Sequence, residues 1–126
     1  MNIKNTFKKF ILLNISLFFL AFASLFLESD EVISFNESLD VIPTSLVIIG
    51  LIWMIFYFIS LYFLYTFRKN GKKLFSILFV LGVILNLPLG PSAVDSLTYT
   101  LDALSWCSQS ALLVFLYFTT IKKYFN

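Results

Sequence analysis

Asp102 is the residue whose type and surroundings best suit chemistry in this sequence: it is an acid in an otherwise uncharged stretch, with Thr98, Ser105 and Gln109 spaced around it at four, three and four. Those intervals place all four on one stripe of a helix. The stripe offers a carboxylate that could hold a cation or carry a proton, beside three hydrogen-bonding groups. Counted from the nearest basic residues, Trp53 and Asn86 in two other apolar runs fall at the depth of Gln109, roughly 20 Å in at ~1.5 Å per residue. Trp53, Asn86, Asp102, Ser105 and Gln109 are therefore a candidate polar core or pocket shared by three helices.

Two readings of that cluster compete. In one, Asn86 and Gln109 bond each other and lock the helices together, at about 0.6 to 2 kcal/mol per contact. In the other, the cluster is an outward-opening pocket or pore vestibule with Asp102 as its charged group. Asp102 precedes Lys122 by twenty residues, about 30 Å of helix, so it belongs at the outer interface and is largely spared the cost of a charge at mid-bilayer. Asp95 lies seven residues before it on the same face, but with no general-acid partner in view the pair supports no reaction class.

The remaining chemistry is thin. The chain has no His and one Cys, so neither an internal disulfide nor a Cys/His zinc site can be assembled within it. Cys107 has no thiol or basic neighbour in the sequence and reads as a small buried hydrophobe, not a nucleophile. The sequence carries no recognisable catalytic, cofactor or metal motif, and the expectation is a protein that is not an enzyme and has no cofactor.

The elements that must position these residues follow from composition. Of the 126 residues 60% are hydrophobic, 19% aromatic and only 13% charged, against about a quarter charged in a soluble domain. The charges segregate. All nine Lys and Arg lie near the N-terminus, in the stretch Arg68-Lys69-Asn70-Gly71-Lys72-Lys73 or near the C-terminus, while the seven acids occupy the other two connections or their edges. The positive-inside rule then places the basic ends, including both termini, in the cytoplasm. The basic clusters are short and flank apolar runs, so no nucleic-acid partner is expected. The heavy use of Phe, Ile, Leu, Lys and Asn fits an AT-rich bacterial genome, which makes the expected location the bacterial cytoplasmic (inner) membrane.

The expected architecture is all-α: a single domain over 1–126, with four transmembrane helices in an antiparallel bundle spanning about 10–27, 46–67, 72–89 and 98–121, and an acidic outer loop at 28–44. Asn14, Ala21 and Ser24 share one face of the first span, and Gly50, Trp53, Tyr57 and Ser60 one face of the second. The third run, Leu74 to Leu87, gives only about 21 Å of helix, so it must begin among the lysines and continue past Pro88 to cross. Gly82, Asn86 and Gly90 mark its packing face. Within the outer loop, Val32-Ile33 and Phe35 could rest on the membrane surface, Pro43-Thr44-Ser45 reads as a helix start, and Asn36-Glu37-Ser38 matches a glycosylation sequon. A competing reading makes Met1–Ala23 a cleaved signal peptide, since Ala21-Phe22-Ala23 resembles a processing site. Against it, the apolar run continues through Leu25-Phe26-Leu27.

The pattern Leu87-Pro88, Gly90-Pro91-Ser92, Leu101-Asp102-Ala103-Leu104-Ser105, Ala111-Leu112, Tyr117-Phe118, Ile121-Lys122 and Phe125 resembles a group of small uncharacterised bacterial four-span membrane proteins, over about residues 47–125. The group commonly has Gly where this chain has Ser110, and Ser-Pro in place of Thr119-Thr120. The resemblance implies a fold and a membrane location and transfers no site residues. The functional expectation is a small membrane protein that acts by contact with another membrane protein or with a second copy of itself, in an accessory, regulatory or immunity-type role. The alternative is an oligomeric channel or small-solute transporter with a polar pocket near Asp102 and Gln109.

Overall fold

In lipid a backbone must satisfy its own hydrogen bonds, and apolar runs of this length do so as helices. The computed structural model describes residues 2–125. Helix α1 covers Ile3–Ser24 and runs on through a 3-10 turn at Leu25–Leu27; it starts ahead of the apolar run because the Asn2 side chain accepts the Lys4 amide at 3.1 Å. The short helix α2, Asp30–Glu37, carries Asp30 and Glu31 in its first turn, where acids complement the helix dipole. Helix α3, Thr44–Tyr65, begins directly after Pro43. Helix α4, Gly71–Asn86, starts among the basic residues and continues as a 3-10 turn, Leu87–Leu89, through Pro88. Helix α5 is Ser96–Phe118, followed by a final 3-10 segment, Thr120–Phe125.

The four long helices pack antiparallel, and each is long and apolar enough to cross a bilayer. This is a multi-pass membrane protein whose outer surface meets lipid. Leu, Ile, Phe and Val side chains cover much of that surface. The helices form two closely packed pairs, α1 with α5 and α3 with α4, and the pairs touch each other far less.

The α3–α4 turn is built by a Schellman motif. The Arg68 amide donates to the Phe63 carbonyl at 2.9 Å and the Phe67 amide to the Leu64 carbonyl at 3.1 Å. Phe67 occupies the left-handed position at φ 54°, which glycine usually takes. Its ring compensates by packing against Phe7, Tyr124 and Phe125, with centroids 6.0, 5.8 and 5.4 Å away. The same end collects the positive charge: Lys4 Nζ lies 3.9 Å from the Tyr124 ring centroid, Lys8 Nζ 4.5 Å from that of Tyr65 and Lys72 Nζ 4.0 Å from that of Tyr117. The first turns of α1, the α3–α4 turn and the last segment therefore meet at one basic end.

The core belongs to that half. Phe7, Ile11, Tyr57, Leu64, Phe75 and Leu112 are fully buried, with Leu116 and Ile121. At the other end the acidic connection folds onto the α4–α5 link. Asn36 Nδ2 donates to the Ala93 carbonyl at 2.9 Å, and the Ala93 amide donates to Asn36 Oδ1 at 2.8 Å. The Asp95 carboxylate accepts from the Ser29 amide and hydroxyl at 2.6 and 3.1 Å. The sequon's asparagine and the first of the two spaced acids are thus both engaged in fastening this end. Ile33 and Phe35 are exposed on α2.

Candidate functional site

Between the two helix pairs, in the half toward the acidic end, lies a cavity of about 350 Å³. Its position follows from the packing: the core fills the space between the pairs at the basic end and gives out toward the other. Trp53, Asn86, Asp102, Ser105 and Gln109 all line this one cavity, and Phe18, Phe22 and Trp106 contribute apolar wall. The structure thus brings together all five residues singled out by type and depth, each held differently.

Trp53 is fixed by a close approach of α3 to α4. A side chain at Gly82 would put its first carbon 2.8 Å from Trp53 Cζ2, so only glycine admits the indole here. The indole Nε1 then donates to the Leu78 carbonyl at 2.8 Å, and the ring stacks on Tyr57 with centroids 5.1 Å apart and planes 13° from parallel. Gly82 is the packing residue expected of its face, whereas Gly90 lies beyond the helix.

Thr98, Ser105 and Gln109 are buried as one stripe of α5, and Asp102 on the same stripe is exposed at the cavity. Gln109 is only 5% exposed, yet its Oε1 has no hydrogen-bond partner among the described residues. Leaving a buried carbonyl unpaired costs about 1 to 3 kcal/mol. The expected bond between Asn86 and Gln109 does not form: Asn86 Nδ2 donates to the Gly82 carbonyl one turn back on its own helix, at 2.8 Å. Matching depth was met without matching direction.

The lock between helices comes instead from residues just toward the basic end. Tyr57 donates its hydroxyl proton to Asn14 Oδ1, Asn14 Nδ2 donates to Ser108 Oγ at 2.7 Å, and Ser108 Oγ donates to the Ser105 carbonyl at 3.0 Å. This ordered chain ties α3 to α1 and α1 to α5. Farther along, Ser24 donates to the Ala21 carbonyl at 2.7 Å and meets Thr98 Oγ1 at 2.9 Å, so Thr98 supplies the proton between them. Asn14, Ala21 and Ser24 are the face of α1 buried against α5. The role of Ser108 was missed, although its place beside the Ser105 and Gln109 stripe was a usable signal.

Cys107 corrects another expectation: it is exposed, not buried. It sits about 200° around the helix from Ser105 at ~100° per residue, which turns it away from the cavity. Helical phase outweighs the thiol's usual preference for the interior.

Neither a family model, nor a curated protein, nor a solved structure matches this chain.

Proposed function

We propose that this protein is a bacterial inner-membrane protein with both termini in the cytoplasm, acting by binding another membrane component and not by catalysis. The observation that carries this reading is the one-ended cavity: polar groups and apolar walls converge in the acidic half, while the basic half is filled by fully buried side chains such as Tyr57, Leu64, Phe75 and Leu112. A site of that shape suits holding something from one side better than passing it across. The orientation rests on the charges, with every Lys and Arg at the end that the positive-inside rule keeps in the cytoplasm.

The test has two parts. In a Cys107→Ser background, a membrane-impermeant maleimide is expected to label Ser34→Cys in intact cells and Asn5→Cys only after lysis; the reverse pattern would invert the topology. Proteoliposomes holding the full chain are expected to show no ion flux above that of empty vesicles. Flux abolished by Asp102→Asn would replace binding with the oligomeric channel or transporter.

A further inference from the structure

The cavity contains one formal charge, the Asp102 carboxylate, and a carboxamide, Gln109, that is 95% buried with an oxygen unpartnered among the described residues. No Lys or Arg lines it, and all nine lie in the segments of the basic end. The polar groups of the site are therefore biased toward accepting hydrogen bonds from a positive donor. Its walls are aromatic, with Phe18, Phe22, Trp53 and Trp106, and indole faces attract a cation in addition to covering apolar surface. The unpartnered Gln109 oxygen is itself covered, so a ligand reaches it by a turn of the side chain toward the cavity, and the bond then formed removes the cost of leaving it unpaired.

We propose that the cavity binds an ammonium-bearing amphiphile, its cationic head held by the Asp102 carboxylate and the Gln109 carboxamide and its apolar body lying against Phe18, Phe22, Trp53 and Trp106. The inference rests on the binding reading above and names the chemical class that reading leaves open. A volume of about 350 Å³ suits a single aromatic ring on a short alkyl chain, within the range of small-molecule sites. Entry from the acidic end, or sideways between the helix pairs, requires no route through the core.

The experiment uses the full chain in phosphatidylcholine nanodiscs and three probes with one 4-(4-bromophenyl)butyl body and an ammonium, hydroxyl or carboxylate head. Bromine quenches nearby indole fluorescence, so binding beside Trp53 and Trp106 is read directly. The expected result is saturable quenching by the ammonium probe, weakened about tenfold or more by Asp102→Asn, the scale of a lost charge pair. Gln109→Leu should weaken it about threefold, the scale of a lost hydrogen bond. The alcohol probe should bind weakly and be indifferent to Asp102→Asn. Thermal unfolding of each variant checks the fold, and among the described residues neither side chain makes a hydrogen bond that the bundle would lose. Equal saturable quenching by all three heads, or an ammonium affinity unchanged by Asp102→Asn, would overturn the proposal while leaving a binding cavity. Absence of saturable quenching with any head would overturn the proposal and also remove the observation on which the binding reading stands.

Discussion

The Tyr57 hydroxyl donates to the Asn14 carboxamide oxygen, joining the two helix pairs through side chains that are both 0% exposed. Asn14 is the hub, because its Nδ2 also donates to Ser108. Tyr57→Phe removes one interhelical bond and should lower stability by about 0.6 to 2 kcal/mol. Asn14→Leu removes both and leaves the Tyr57 hydroxyl unpaired, so it should cost more than Tyr57→Phe. Unfolding by sodium dodecyl sulfate in mixed micelles gives both values, and the double mutant measures their coupling. A coupling of zero would mean that the bond does not hold the pairs together.

Gly82 and Trp53 set the distance between α3 and α4. With 2.8 Å available to a new side-chain carbon, Gly82→Ala must push the indole away and break its bond to the Leu78 carbonyl. The expected loss is about 1 to 3 kcal/mol, the scale of overpacking. In a Trp106→Phe background the emission of Trp53 should shift as its environment changes. An unshifted spectrum with unchanged stability would place the indole elsewhere.

Phe67 presents two opposing effects at one position. Glycine there would relieve the left-handed backbone, worth about 1 to 2 kcal/mol, but would delete a ring packed against Phe7, Tyr124 and Phe125. Losing a Phe from a buried core costs about 3 to 5 kcal/mol; Phe67 is half-buried, so the loss falls toward or below the lower figure and Phe67→Gly should be modestly net destabilising. Should it prove stabilising in the same unfolding assay, the aromatic cluster contributes little and the turn geometry dominates.

The clasp at the acidic end makes a prediction for exchange. Asn36 gives and receives one hydrogen bond with Ala93, and Asn36→Ala removes both. The Ala93 amide should then exchange with deuterium about tenfold faster, the equivalent of ~1.4 kcal/mol. Amides in the middle of α5 serve as the internal control and should be unaffected. Unchanged protection at Ala93 would show that another contact holds the link.

Architecture was legible in this sequence because charge-free length and charge segregation are one-dimensional properties. Phase along a helix was legible for the same reason: Asn14, Ala21 and Ser24 point inward on α1, and Thr98, Ser105 and Gln109 do so on α5. Pairing between helices was not, because spacing gives a face and a depth but not the identity of the neighbour. Asn86 and Gln109 line one cavity without meeting, while the partners of Asn14 come from α3 and α5. The one-sided taper of the core had no signal either, since it depends on how far apart two helix pairs stand. Phe67 in a glycine conformation is comparable: the ring that compensates for it packs on residues from both ends of the chain.

Because α1 pairs with α5, the order of synthesis imposes a delay that the finished bundle conceals. Asn14 and its partner Ser108 are 94 residues apart, which a ribosome making ~5 to 20 residues per second covers in roughly 5 to 20 s. During that interval α3 and α4 can close as a local hairpin and Tyr57 can reach the Asn14 oxygen, while the Asn14 Nδ2 waits in the bilayer for Ser108. Until α5 emerges the nascent chain therefore holds only one of the two bonds that centre on Asn14, and Ser108 completes the lock.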